Sequence, residues 1–214
     1  YFATLGVTNL AEQVRLLAAI ASREETAIAL SQSIRNFDEE LLEKLVSDHL
    51  RPTCVHVLCR RIVAEGGREA YRVDNPKNCS VCGNDDDQRW LSYLGHQCAL
   101  SGVRRVLVVG GSSALHDSLR HSSEGHALEI RFLTQETQNN EGRLRGRVEG
   151  CDLVILGSGG PAIEALNRPY VTMARQLRKL LIKPANVGSE KAFTPRTLAL
   201  AAVNVLARAE VLSP

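Results

Sequence analysis

Cys79-x-x-Cys82-Gly83 has the form of one half of a zinc site, two thiols spaced so that both can face one tetrahedral ion. A complete site needs two more ligands. His96 and Cys98 follow at a suitable distance, but two residues apart on a helix they point to different sides, which leaves Cys98 as the one able to fold back. Cys54, His56 and Cys59 are further candidates, placed on a helix from which they do not cleanly converge. Two other readings stand beside zinc: buried structural thiols without metal, and a redox pair whose thiol pKa is lowered at a helix N-terminus. The redox reading is the weaker, because the knuckle does not follow a strand of a thioredoxin-like unit. Cys151 opens an apolar run and reads as core.

A second chemistry belongs to two glycine- and serine-rich loops. Val106-Leu107-Val108-Val109 runs into Gly110-Gly111-Ser112-Ser113, and Asp152-Leu153-Val154-Ile155-Leu156 runs into Gly157-Ser158-Gly159-Gly160-Pro161. Short β-branched runs bounded by glycine read as strands buried on both faces. A glycine loop that opens a helix exposes backbone N–H groups where the helix dipole favours an anion. Gly157-x-Gly159-x-x-Ala162 satisfies a dinucleotide-binding spelling, but after the third strand rather than the first, and with no acidic residue ending the next strand to hold a ribose. Gly110-Gly111-Ser112-Ser113 lacks the lysine of a P-loop. Glycine as a plain turn residue explains either loop alone. The two together, both carrying hydroxyls, point to a small nucleotide-type ligand.

Nucleophilic catalysis has little support. Ser112, Ser158, His116 and Asp117 lie near the loops, yet no nucleophile elbow is present, and adjacent His116 and Asp117 diverge on a helix. Arg51, Arg60 and Arg61 would serve a helix-turn-helix contact to nucleic acid, if the helices on either side of Leu50-Arg51-Pro52 were so arranged. The turn lacks the usual glycine, and the helix before it is acidic (Asp38, Glu39, Glu40, Glu43). A packing or dimerisation module is the competing reading of this region.

The elements that must position these residues fall into two regions. Residues 8 to 66 read as helical. Leu10, Val14, Leu17, Ala21, Ile28 and Ile34 recur on roughly one face, long enough to suggest homo-oligomerisation. A second helix carries Leu41, Leu42, Leu45 and Val46 and breaks at Arg51-Pro52; a third carries Val55, Leu58, Cys59 and Ile62 and stops at Gly66-Gly67. Ala70–Val73 is extended, and a polar turn at Asn75-Pro76 places a domain boundary after residue 76. Beyond the knuckle, Asn84 or Asp85 caps a helix to about Ser101. The pattern then alternates: strands at Val103–Val109, Ala127–Leu133, Cys151–Leu156 and Leu181–Pro184, with helices at about Ser113–His121, Asn139–Glu149, Pro161–Leu181 and Thr194–Val211. Such alternation implies a small α/β domain, a Rossmann-like three-layer unit with a parallel sheet, over residues 77 to 214 and behind a helical domain over 1 to 76. A flavodoxin-like order would set the first and third strands side by side, so that both glycine loops face one crevice.

Composition bounds the partners. The 214 residues carry a net charge of +2, which neither demands nor excludes nucleic acid, and aromatics at 4% leave little for a base-stacking platform. No apolar run reaches membrane-spanning length and no signal-peptide pattern is present, although the first residue is Tyr1 rather than Met, so targeting is only partly legible. Six unevenly spaced cysteines do not resemble a secreted disulfide framework, and the expectation is a reduced, cytoplasmic protein.

The knuckle, an Arg89-bearing helix, the Val106–Ser112 run and Asp152–Ile155 together resemble uncharacterised bacterial Rossmann-like domains in which a cysteine knuckle precedes the first strand. The resemblance spans about residues 77 to 185 and implies a three-layer sheet with a ligand crevice, without a transferable activity. The sequence is therefore read as a non-enzymatic regulatory or sensor protein. It would bind a small anionic ligand between the loops, carry zinc on Cys79, Cys82 and Cys98, and oligomerise through its N-terminal helices. The alternatives are a DNA-binding regulator and an enzyme acting on a nucleotide or phosphate ester.

Overall fold

The chain divides between Arg89 and Trp90 into two units, rather than after residue 76, so the cysteine knuckle belongs to the first unit. The computed structural model describes residues 1–111, 113, 116–117, 119–120, 128–133, 141–157, 161–183 and 194–212.

The first unit opens with three helices, α1 (Leu10–Ile20), α2 (Glu24–Asn36) and α3 (Glu39–His49). Each boundary has a local cause. The Asn9 side chain accepts the Glu12 N–H at 3.2 Å and the Asp38 carboxylate accepts the Leu41 N–H at 3.0 Å, capping α1 and α3. Phe37, with φ of 52°, ends α2 in the left-handed region. The single apolar stripe expected across residues 10 to 34 is broken, because α1 stops at Ile20 and α2 restarts at Glu24. Leu10, Val14, Ile28 and Ile34 are exposed, and the buried positions are Leu16, Ile20 and Leu30. Leu16 lies two residues from Val14, about 200° around the helix, so the core takes a face turned away from Leu10 and Val14, while Leu17 and Ala21 of the expected stripe pack partly buried against it. Leu16, Ile20 and Leu30 join Phe2, Val7, Leu45, Val46, Leu50, Tyr71 and Val73 in one core.

The region expected to be wholly helical then turns to β-structure. Strand β1 (Leu50–Thr53), helix α4 (Val57–Glu65) and strand β2 (Glu69–Arg72) form a parallel βαβ unit, in register from Leu50 opposite Glu69 to Thr53 opposite Arg72. This corrects the helix-turn-helix expectation. The link between α3 and α4 is a paired strand, which cannot supply the short turn that seats a recognition helix. Arg15 ties α1 to β2: it pairs with Glu12 and Glu69, and its guanidinium donates to the Ala70 carbonyl at 3.0 Å.

The division between the units falls within helix α5 (Asp86–Leu100), which the Asp85 carboxylate caps by accepting the Gln88 N–H at 2.9 Å. The second unit continues with β3 (Arg105–Val109), β4 (Glu129–Leu133), α6 (Glu141–Glu149), β5 (Leu153–Leu156), α7 (Pro161–Gln176), β6 (Leu180–Ile182) and α8 (Pro195–Leu212). The strands lie in the order β4-β3-β5-β6, all parallel. Thus the first and third strands of this unit are neighbours, as expected. Every residue of Val106–Val109 and Leu153–Leu156 is buried, so both faces of the central strands are covered. Leu144 and Val148 of α6 and Tyr170, Met173 and Ala174 of α7 pack with Leu107, Val109, Val154 and Leu156. Of the expected helix at 113–121, residues Ser113, His116, Asp117, Leu119 and Arg120 are helical, and the others lie outside the described residues, as do Ala127, 139–140 and Pro184.

Asp152 pins the register of β3 against β5. Its carboxylate accepts the N–H groups of Arg104 (3.0 Å) and Arg105 (2.9 Å) and pairs with the Arg105 guanidinium at 3.2 Å. Burial opposes its ionisation, but the two backbone donors and Arg105 outweigh that and hold its pKa below the ordinary aspartate value. A depressed folded-state pKa means the stabilisation is present above the unfolded-state value and is lost as pH falls through the folded one. Asp152→Asn is expected to cost about 1–2 kcal/mol at neutral pH. Denaturant titrations of both proteins should converge in acid, and a gap that persists there would contradict the assignment.

Candidate metal centre

The corner between β1 and α4 brings two cysteines together. Cys54 follows the last residue of β1, and Cys59 stands in the first turn of α4. His56, between them, caps α4, with its Nδ1 accepting the Leu58 N–H at 3.2 Å. The knuckle supplies two more. Pro76–Asn78 forms a 3₁₀ turn, Gly83 (φ 51°) donates its N–H to the Cys79 carbonyl at 3.0 Å, and Asn84 (φ 71°) follows in the same left-handed region. Ser80 anchors the knuckle to β1, donating its N–H and its hydroxyl to the Pro52 carbonyl, each at 2.9 Å.

The sulfurs of Cys54, Cys59, Cys79 and Cys82 all lie within 4.8 Å of one another, and all four residues are buried. The Cys54 and Cys82 sulfurs are 3.8 Å apart. A tetrahedral ion with metal–sulfur bonds of about 2.3 Å requires sulfur–sulfur separations of about 3.8 Å. A disulfide would need a separation of about 2.05 Å, and all six cysteines are free. The four thiols therefore form a group that could hold a metal ion.

The electrostatics fit the same use. The Cys59 thiol donates to Cys79 and, against the cost of burial, backbone N–H groups at Cys54, Cys82 and Val81 add to it, holding Cys79 down to about 4. The same interaction with Cys79, together with burial, pushes Cys59 up, and burial raises Cys82. A thiolate is thus favoured at Cys79 while Cys59 and Cys82 are held towards the protonated form, because negative sulfurs at this spacing repel unless a cation joins them. Arg89 lies alongside, its guanidinium 3.7 Å from the Cys82 sulfur and paired with Asp86. Its Nε is buried without a hydrogen-bond partner among the described residues.

Cys79 and Cys82 thus stand where the spacing predicts, but their partners are Cys54 and Cys59 rather than Cys98. Cys98 sits on α5 within the second unit, and burial pushes its thiol up to about 12. His96 on the same helix is also buried. Cys151 is core, as expected, its thiol 3.1 Å from the Val148 carbonyl. The missed signal was the spacing of Cys54 and Cys59: five residues apart they suit no single helix face, but they do suit a strand-to-helix corner.

In the second unit, the described parts of the two glycine loops meet at the carboxyl ends of β3 and β5. Gly157 donates its N–H to the Val109 carbonyl at 2.6 Å, and Gly110 (φ 74°) donates to Leu133 at 2.8 Å. These two N–H groups are therefore engaged within the fold. Gly111 (φ 97°) keeps its N–H outside any such bond among the described residues. Ser113 is exposed, while Ser112, Ser158, Gly159 and Gly160 lie outside the described residues. Buried His116 donates from Nε2 to the Gly110 carbonyl at 2.9 Å and packs on Phe132, so it braces the loop and is not presented for catalysis.

The three arginines of the nucleic-acid reading do not act together. Arg51 on β1 donates to the Ser47 carbonyl at 2.6 Å, Arg61 pairs with Glu65 at 2.6 Å, and Arg60 borders a cavity. Among the described residues, no helix is long and apolar enough to cross a membrane. No family model, no curated protein and no solved structure matches this chain.

Proposed function

We propose that the chain is a non-enzymatic, zinc-bearing ligand-binding protein. Cys54, Cys59, Cys79 and Cys82 would hold one zinc ion, and the observation that carries this is the close approach of their four sulfurs. Four protein thiolates close the coordination sphere, leaving no open position for water or substrate, so the chemistry zinc supplies here is structural cross-linking. It fastens the knuckle to the β1–α4 corner, in a segment whose only sheet is a two-stranded pair.

The second unit, read as a Rossmann-like three-layer domain of the kind the sequence resembles, would bind a small nucleotide-type anion beyond β3 and β5. Strand order supports this, because the chain reverses direction across the sheet between those two strands. The donors would be Gly111 and the serine-bearing stretches after Gly111 and Gly157. Exposed Leu10 and Val14, one turn apart on α1, support self-association through the first unit.

Metal analysis of the full chain, purified without added zinc or chelator, tests the reading. About one zinc per chain is expected, with the thiols unreactive towards a disulfide reagent until a strong chelator is added. Metal-free protein whose thiols react at once would overturn it.

A further inference from the structure

A cavity of about 930 Å³ opens in the first unit, sharing Cys54 with the sulfur cluster and otherwise built from different residues. Its walls come from the segment before α1, the first turns of α1, the residues that follow β1, Arg60 of α4, and the end of β2 with Asp74 beyond it. It thus gathers at the carboxyl ends of two parallel strands, the position at which α/β units bind ligands. Its volume is within the range of small-molecule sites.

The charges in the wall define the ligand. Arg15, Arg60 and Arg72 contribute cations, and Glu12 and Asp74 contribute carboxylates. Arg15 is committed to Glu12, Glu69 and the Ala70 carbonyl, so it and Glu12 largely cancel. The guanidinium groups of Arg60 and Arg72 make no hydrogen bond or ion pair among the described residues, although Arg60 is near enough to Glu12 for its charge to help lower that carboxyl's pKa. Two uncommitted guanidinium groups from different elements, α4 and β2, suit a dianionic phosphate, which each can grip with paired N–H donors. Val7 and Val55 provide apolar wall for the rest of the molecule, and Asp74 can accept from a hydroxyl or amine on it.

We propose that this cavity is a binding site for a small organic phosphate of nucleoside-monophosphate size, held at its phosphate by Arg60 and Arg72. It rests on the metal-centre reading in one respect: Cys54 is both a wall of the cavity and a member of the sulfur cluster. Any effect of binding at one on binding at the other is therefore reciprocal, by linkage.

Calorimetric titration of the full chain with adenosine 5′-monophosphate, and with adenosine as the phosphate-free control, tests it, with zinc content measured on the same samples. The phosphate ester is expected to bind at least tenfold more tightly than adenosine. Arg60→Ala and Arg72→Ala, both at exposed positions, should each weaken it at least tenfold, whereas Arg61→Ala should not. No binding, or binding unchanged in the Arg60 and Arg72 variants, overturns the proposal; the unchanged case places the ligand away from these two arginines. Zinc-replete protein that fails these tests leaves the metal centre standing. Zinc-free protein that passes them sinks the metal centre and keeps the cavity.

Discussion

Cys59→Ser is expected to abolish zinc retention and to melt the first unit, leaving the second folded. Cys59 is fully buried, and its sulfur is one of the four that come together among the described residues. Structural zinc sites contribute about 10–16 kcal/mol at neutral pH, a sum comparable with the whole stability of a typical domain, about 5–15 kcal/mol. The core built on Leu16, Ile20, Leu45 and Leu50 takes in only Tyr71 and Val73 of the residues from Thr53 to Gly83, and the rest of that segment leans on a two-stranded sheet and the sulfur cluster. Two calorimetric transitions are expected of the zinc-loaded protein, and the variant should lose the one belonging to the first unit. Cys98→Ser is the decisive control, since it removes the buried cysteine that next follows the knuckle in sequence. It should keep one zinc per chain; loss of zinc in that variant would show that the wrong sulfurs have been assigned.

Gly157→Ala is expected to damage the second unit by about 3 kcal/mol, the upper range for forced overpacking. A Cβ at Gly157 would lie 2.5 Å from the Gly111 nitrogen and 2.7 Å from the Gly110 carbonyl carbon, both backbone atoms that cannot rotate away. The same residue receives the Asn167 side-chain amide on its carbonyl at 2.8 Å, so the loop is held from two directions. At about 2–4 °C per kcal/mol, the midpoint of the second transition should fall by about 10 °C. Gly146, in the exposed part of α6, has nothing within 4 Å of its would-be Cβ, and Gly146→Ala should raise that midpoint slightly. Equal effects at the two positions would deny the close approach of the loops. The reason for glycine at 157 is thus steric, whatever else the loop binds.

How much could be read in advance depended on how strongly each segment's local preference agreed with its final environment. Val106–Val109 and Leu153–Leu156 announce themselves, because a strand covered on both faces needs an apolar residue at every position. Leu50-Arg51-Pro52-Thr53 does not. It is short, half-exposed in the middle and interrupted by proline, and reads as a helix breaker. It becomes a strand only because β2 pairs along it, and Pro52 is tolerated in a two-stranded sheet, where each strand has an open edge. That one misreading hid the rest: with residues 54 to 59 on a helix, Cys54 and Cys59 diverge, and with a strand-to-helix corner between them they meet. The knuckle was legible because both its cysteines and its glycine are local in sequence. Its partners were not, because they arrive through a parallel pairing of residues nineteen apart, Leu50 with Glu69. The stripe on α1 misled for a different reason. Leu10 and Val14 are as apolar as Leu16 and Ile20, so periodicity alone could not tell the packed face from the exposed one.

Zinc K-edge X-ray absorption of the purified full chain tests the central claim most directly. Four sulfur scatterers at about 2.3 Å, with no oxygen or nitrogen in the first shell, are expected from Cys54, Cys59, Cys79 and Cys82. A shell containing imidazole nitrogen or water, or fewer than four sulfurs, would contradict the tetrathiolate centre on which the reading of the first unit rests.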